Sequence, residues 1–473
     1  MTARIALVVV VLLTAAALVP TTTYVPRADR VLFTVWGMQF EDRLFEDEYA
    51  RGFETLNPGV EVEYRRYDGN SISEKYNAWH AIGQGPEVMR LMVTDYHQMV
   101  SRGMLEPLRA YIDDPDVGLS RETLDAIPPH LLDPLRIDGE IYALPEDNAQ
   151  YGLYYNRSIF DAYNEAHPSD PIPYPDETWT WTTLRDAASR LTTRGADGSI
   201  DIMGIDLAIW QWPFMQFHAQ AGGRLWSDDG LTVLIADDAG IEALEFLGAL
   251  AFEDRSWEPY FGRTQGTGTD ARFVTGRSAM LFDGSWRVPN FEERNPDLDF
   301  AVAPSPRGRV DAIMCGSCLW GMSRHADRKD LGWSMLRWLV EEPQAARYWD
   351  ALRVAPPAHL GVVQSESFRS TSGIERADQP GRYDVLPMTP STYEARAKWL
   401  EYAVTPNASG VVPGFVPTAP YQRALEDAIR RMLEVYLRAP GADARDLLEK
   451  ATAEVHVIID RDRSSRGLPP VRR

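Results

Sequence analysis

Between residues 31 and 93 the chain alternates short apolar strands with amphipathic stretches, and this alternation restricts its fold more than any other feature. Val31–Val35 is β-branched and aromatic and ends at Trp36-Gly37. Phe40, Leu44, Phe45, Tyr49 and Phe53 then recur near helical spacing. Asn57-Pro58-Gly59 reads as a turn, and Val60–Tyr64 alternates like a half-buried strand. A helix from about Ser73 to Ile82 stops at Gly83-Gln84-Gly85-Pro86, and Glu87–Val93 is the next strand. Strands and helices alternating at these lengths predict a parallel α/β sheet.

The pattern returns beyond residue 150. Tyr151–Tyr155, Ser278–Phe282 and Phe300–Ala303 read as strands. Helices are expected from Thr180 or Thr182 to Leu191, over Ala239–Glu253 and Asp327–Val340, and over Tyr421–Leu437 and Ala444–Ile459. A chain of 473 residues is too long for one simple domain and suits two. At the start, Arg4 precedes the uncharged, mostly apolar Ile5–Val19, and Ala15-Ala16-Ala17 supplies small residues for cleavage. This predicts an export signal over residues 1–30, linker included. No cysteine follows the apolar stretch, so lipoprotein processing is not expected.

The formal charge of −21 argues against a nucleic-acid partner, because phosphate binding needs a basic surface. The two cysteines, Cys315 and Cys318, flank Gly316-Ser317 inside an apolar run, which favours buried thiols around a small turn over redox or zinc chemistry. The chain has no GxSxG elbow, HExxH or P-loop, and its eight histidines lack metal spacing. Asp197-Gly198-Ser199-Ile200-Asp201 lacks the ligand positions of a calcium loop and reads as a turn. No enzyme activity and no cofactor are therefore expected.

Several short passages carry a family likeness. They are Phe53–Val62, Gly85-Pro86-Glu87-Val88, Gly103–Leu108, Asp138–Pro145, Leu153–Arg157, Thr180-Trp181, Ala221-Gly222-Gly223 and Phe273–Met280. In this order over about residues 31–360 the chain resembles the family 1 extracellular solute-binding proteins of ABC transporters, the group that includes maltose-binding protein. Glu87 stands where that family usually has Asp, and the likeness fades after about residue 360. The resemblance implies an α/β, periplasmic-binding-protein-like fold: two doubly wound lobes joined by a hinge, with a ligand cleft between them. Lobe 1 is expected over 31–145 plus 306–357 and lobe 2 over 146–305 plus 358–473. The crossings fall near Leu144–Asn148, Pro304–Pro306 and Val354–Ala358. It implies a periplasmic or otherwise extracytoplasmic monomer that captures a sugar or polyol by hinge closure and delivers it to membrane permease subunits. An exported carbohydrate-active enzyme and a receptor for a sensor protein are the alternatives.

The same resemblance points to ligand contacts. Trp36 and Gln39 start the first binding loop, and Asp95 follows the Glu87–Thr94 strand. Asn148 and Gln150 lie on the first crossing, where neutral amides donate and accept toward hydroxyls. Trp210 and Trp212, in Trp210-Gln211-Trp212-Pro213, would point to opposite faces if extended. Asp283 and Trp286 follow a strand, and Gly316 and Ser317 offer close backbone approach. Trp320 is expected in the core, and Trp399 and Phe415 lie beyond the matching stretch. Rings that cover C–H faces and polar groups that take hydroxyls suit a polyhydroxylated ligand.

Overall fold

The computed structural model describes residues 29–37, 41–67, 71–259, 269–365, 374–375, 383–385, 388–404, 414–415 and 419–471. Gln39 and the expected export signal lie outside these residues, as does most of the polar stretch after Gln364.

Two sheets organise the chain. The first contains β1 (Arg30–Trp36), β2 (Glu61–Tyr67), β3 (Val88–Met92) and β4 (Ala143–Pro145). The second contains β5 (Ala149–Asn156), β6 (Asp206–Leu207), β7 (Met280–Gly284), β8 (Phe300–Pro304) and β9 (Met314–Gly316). β10 (Cys318–Gly321) returns to the first sheet and β11 (Gly414–Phe415) to the second. The first sheet has the order β2-β1-β3-β10-β4. Its first three strands are parallel, with Phe33 beside both Tyr64 and Val88. β10 enters antiparallel to β3, with Leu319 beside Leu91, because the chain re-enters this lobe from the other one. β5 is the spine of the second sheet, antiparallel to β7 on one side and to β8 and β9 on the other.

The sequence explains these elements locally. β5 is buried along its whole length, as expected of a strand covered on both faces. Thr180, rather than Thr182, caps the helix Trp181–Leu191, with its hydroxyl accepting from the Thr183 amide at 3.2 Å. Glu87 is buried and structural. Its carboxylate accepts from the Leu32 amide at 2.7 Å and the Asp327 amide at 3.1 Å, which ties the strand edge to a helix start. Gly152 is required by close packing, since a Cβ there would stand 2.7 Å from the Trp399 ring. At the Asp197 passage, the Asp197 carboxylate accepts from the Ser199 amide and hydroxyl, forming a turn.

The chain changes sheets at Glu146–Asn148 and again at Ser317. The expected crossing at Pro304–Pro306 is therefore not a crossing, because β8 and β9 both lie in the second sheet. The proline-containing loop between them stays within its own lobe. The Arg307 amide donates to Trp179, the Trp181 amide donates back to Arg307, and the Val310 amide donates to Gln220. A third passage, Pro356–Ala358, runs beside the first. There the Asn148 amide donates to the Pro356 carbonyl at 2.8 Å and the Ala358 amide to the Glu146 carbonyl at 3.0 Å.

Candidate functional site

The second lobe carries an aromatic wall at the start of β5. Tyr151, at the start of β5, stacks on Trp212 with ring centroids 5.4 Å apart. The same ring meets Trp286 edge-on at 4.9 Å. Trp212 lies in helix α2 (Gln211–Gln220), which starts immediately after Trp210. The Trp210–Pro213 passage is thus helical and not extended, and the two tryptophans diverge by about 200° around the helix. Trp210 is half-buried at the N-cap, and Trp212 is buried. Gly316 backs the wall, its would-be Cβ 3.4 Å from the Trp212 ring. Trp286 folds back over its own strand, where a side chain at Gly284 would collide with the ring at 2.1 Å.

Four of the proposed polar contacts hydrogen-bond within the protein. Asp283 accepts from Arg287 Nε at 2.7 Å and from the Gly284 amide at 2.7 Å, a buried ion pair. Ser317 donates to the Asp147 and Cys318 carbonyls at 2.6 and 2.8 Å, so its hydroxyl pins the crossing. Asn148 donates to the Ala403 carbonyl at 3.1 Å, and Gln150 reaches the Trp399 carbonyl at 3.5 Å. Yet the side-chain oxygens of Asn148 and Gln150, the hydroxyls of Tyr151 and Thr94 and the Trp36 indole N–H are buried without a partner among the described residues. Such atoms are uncommon in native interiors and mark places where a further polar group fits.

On the first lobe, Trp36 ends β1 beneath the Arg90 guanidinium, 5.5 Å from its ring. Asp95 lies in α1 (Val93–Ser101) and accepts from the Ser73 hydroxyl at 3.0 Å. α1 packs against α4 (Gln422–Tyr436) of the second lobe, with α3 (Pro390–Val404) closing the hinge side. Glu426 of α4 is buried and accepts from Gln211 and Gln422 at 3.2 and 3.1 Å. Burial raises the Asp95 carboxyl and pushes Glu426 up to about 7.

Tyr151 and Glu426 were not singled out from sequence, and Trp399 was set aside because it lies beyond the matching stretch. Glu426 had a readable signal, a carboxylate on the apolar face of an amphipathic helix beside Leu425 and Ile429. Trp320 is in the core as expected, and Phe415 lies in β11. Cys315 and Cys318 are both buried free thiols, and burial pushes the Cys315 thiol well up. Glu146, Asp147 and Cys318 each offer a ligand atom within 4.8 Å of one another. Arg90 already binds Glu146 at 2.6 Å, and Tyr348 already donates to Asp147 at 2.8 Å. The guanidinium thus stands where a metal cation would be wanted.

The sequence profile of the bacterial extracellular solute-binding proteins matches residues 48–375. The chain belongs to this family. As a solute-binding protein it has a relative named a mannitol-binding protein in Pseudomonas aeruginosa, 22% identical over 72% of this chain and 77% of that one. Its fold matches an ABC substrate-binding protein from Listeria monocytogenes solved with cycloalternan. The TM-score is 0.70 at 19% identity, over 93% of this chain and 99% of that one. An ABC transporter solute-binding protein from Thermotoga lettingae, bound to α-D-tagatose, also gives a TM-score of 0.70 at 19% identity. That match covers 91% and 100% of the two chains. These solute-binding proteins share the bilobed α/β architecture described above.

Proposed function

We propose that this solute-binding protein serves an ABC importer and captures a small sugar or polyol outside the cytoplasmic membrane. One observation carries the reading: the rings of Tyr151, Trp212 and Trp286 cluster on one lobe, and α4 of that lobe packs against α1 of the other, which holds Asp95. Rings of this kind cover C–H faces, and the unpartnered oxygens of Asn148, Gln150 and Tyr151 suit hydroxyls. The sugars and polyol named with its relatives point to the same solute class. A ligand that touches both lobes binds the closed state better and shifts the population toward it. The moving bodies are then built on the two sheets, β1–β4 with β10 and β5–β9 with β11. Trp36 would add a ring from the first lobe.

In this reading the segment 1–30 exports the chain, the protein acts as a monomer, and its partners are permease subunits. Among the described residues no helix is long and apolar enough to cross a membrane. The reading is also non-catalytic. Asp283 is held by Arg287 and Asp147 by Tyr348, so neither is poised for proton exchange with a substrate. A thermal-shift screen of sugars and polyols tests this, because a tight ligand raises stability by mass action. At least one should raise the melting temperature by several degrees. No response across the panel, or turnover of the ligand seen by mass spectrometry, would overturn the reading.

A further inference from the structure

Two buried carboxylates lie on helices that pack together between the lobes, and among the described residues neither is in an ion pair. Asp95 opens α1 and Glu426 lies in α4, and these helices pack across the cleft. Asp95 is 7% exposed and Glu426 3%. Their side-chain hydrogen bonds come from neutral groups, the Ser73 hydroxyl and the Gln211 and Gln422 amides. Arg423 attracts both but forms an ion pair with neither, and Asp95 and Glu426 repel each other. Asp427 adds to the repulsion at both.

A second observation comes from the aromatic wall. The Tyr151 hydroxyl is buried without a partner among the described residues. It feels Asp283 and Arg287 first and Glu426 less, and Gln211, next to Trp212 in α2, ties this wall to Glu426 by a hydrogen bond of 3.2 Å. Its ring and that of Trp212 form one stacked surface. Aromatic faces attract cations, and buried carboxylates need a cation or a proton.

We infer that the captured solute carries a protonated amine, seated between Asp95 and Glu426 against the Tyr151–Trp212 wall. This rests on the sugar-or-polyol reading and narrows it to amino-substituted members of that class. An ammonium brings one positive charge and three donors to carboxylates of both lobes, so closure neutralises charge instead of concentrating it. A neutral sugar would leave the closed cleft to take up a proton.

Calorimetry with matched pairs at about pH 8, where an aliphatic amine is charged and Glu426 ionised, tests this. The probes are aminodeoxysorbitol against sorbitol and aminodeoxymaltitol against maltitol. The amine member of at least one pair should bind at least about tenfold tighter than its neutral partner. Glu426→Gln and, as a second variant, Asp95→Asn should bring the two to near parity. Equal or tighter binding of the neutral members, or no binding by either amine, overturns the inference. Neutral binding alone would leave the sugar-or-polyol reading standing; silence of all four probes together with the wider panel would remove both.

Discussion

The hinge and the cleft both bury carboxylates, and they treat them in opposite ways. At the hinge, Arg90 donates to Glu146 at 2.6 Å, to Glu41 at 3.2 Å and to the Trp36 carbonyl at 3.0 Å. Asp147 accepts from Tyr348 and from the Cys318 amide at 3.1 Å. Burial still pushes Glu146 up to about 8 against the pull of Arg90, yet each acid has a strong donor. In the cleft, Asp95 and Glu426 have only a hydroxyl and amides. Where a buried charge is compensated within the chain it fastens structure, and where it is not, the compensation is left to something that arrives.

The largest effect should come from removing the hinge cation. Arg90→Met removes the guanidinium that binds both Glu41 and Glu146 and should cost about 3–5 kcal/mol in urea unfolding at neutral pH. A loss below about 1 kcal/mol would mean the hinge is no better fastened than the cleft. A pair of tryptophans sharpens the contrast. Trp320→Ala, in the first-lobe core, should cost about 3–5 kcal/mol of ligand-free stability. Trp212→Ala, also buried, should cost stability too but in addition weaken ligand affinity about 100-fold, as read by calorimetry. Retained affinity would discard the aromatic wall.

A smaller effect follows from the titration of Glu426. Its folded value, about 7, lies above the ordinary value of 4.5, so the folded state holds the proton more tightly than the unfolded one. Its destabilising contribution is absent below the ordinary value and grows as pH rises toward 7. Glu426→Gln should therefore stabilise the ligand-free protein by about 1–2 kcal/mol at pH 8 and flatten the stability loss between about pH 5 and 7. Burial raises Glu146 in the same sense, so Glu146→Gln removes a destabilising charge too, but it also weakens a bond to Arg90 and should stabilise less than Glu426→Gln at pH 8. A larger gain from Glu146→Gln in thermal melts would break the comparison. The smallest effect concerns the thiols. Both are buried on different strands, so adding reductant should leave the melting temperature and ligand affinity unchanged.

Local physics was the legible part of the sequence. Val31–Val35 is the interior of β1, and the Thr180 cap and the helix over Asp327–Val340 follow from side chains close in sequence. Trp212 and Trp286 could be picked out because each lies in a passage that resembles an aromatic passage of the family, though the helix that holds Trp212 was not foreseen. The second crossing was not legible, since a proline-rich loop inside one lobe has the same composition as a passage between lobes. Asp283 and Ser317 look like free polar groups until Arg287 and the Asp147 carbonyl are brought beside them. Glu426 acquires its meaning from Gln211 and Asp95, both remote in sequence and brought near only by the packing of the lobes.

Capture by closure is tested most directly by small-angle scattering, with and without the tightest ligand from the thermal-shift screen. The radius of gyration should fall on saturation, and Trp212→Ala should restore the larger value at the same ligand concentration. An unchanged radius under a tightly bound, saturating ligand would contradict the account.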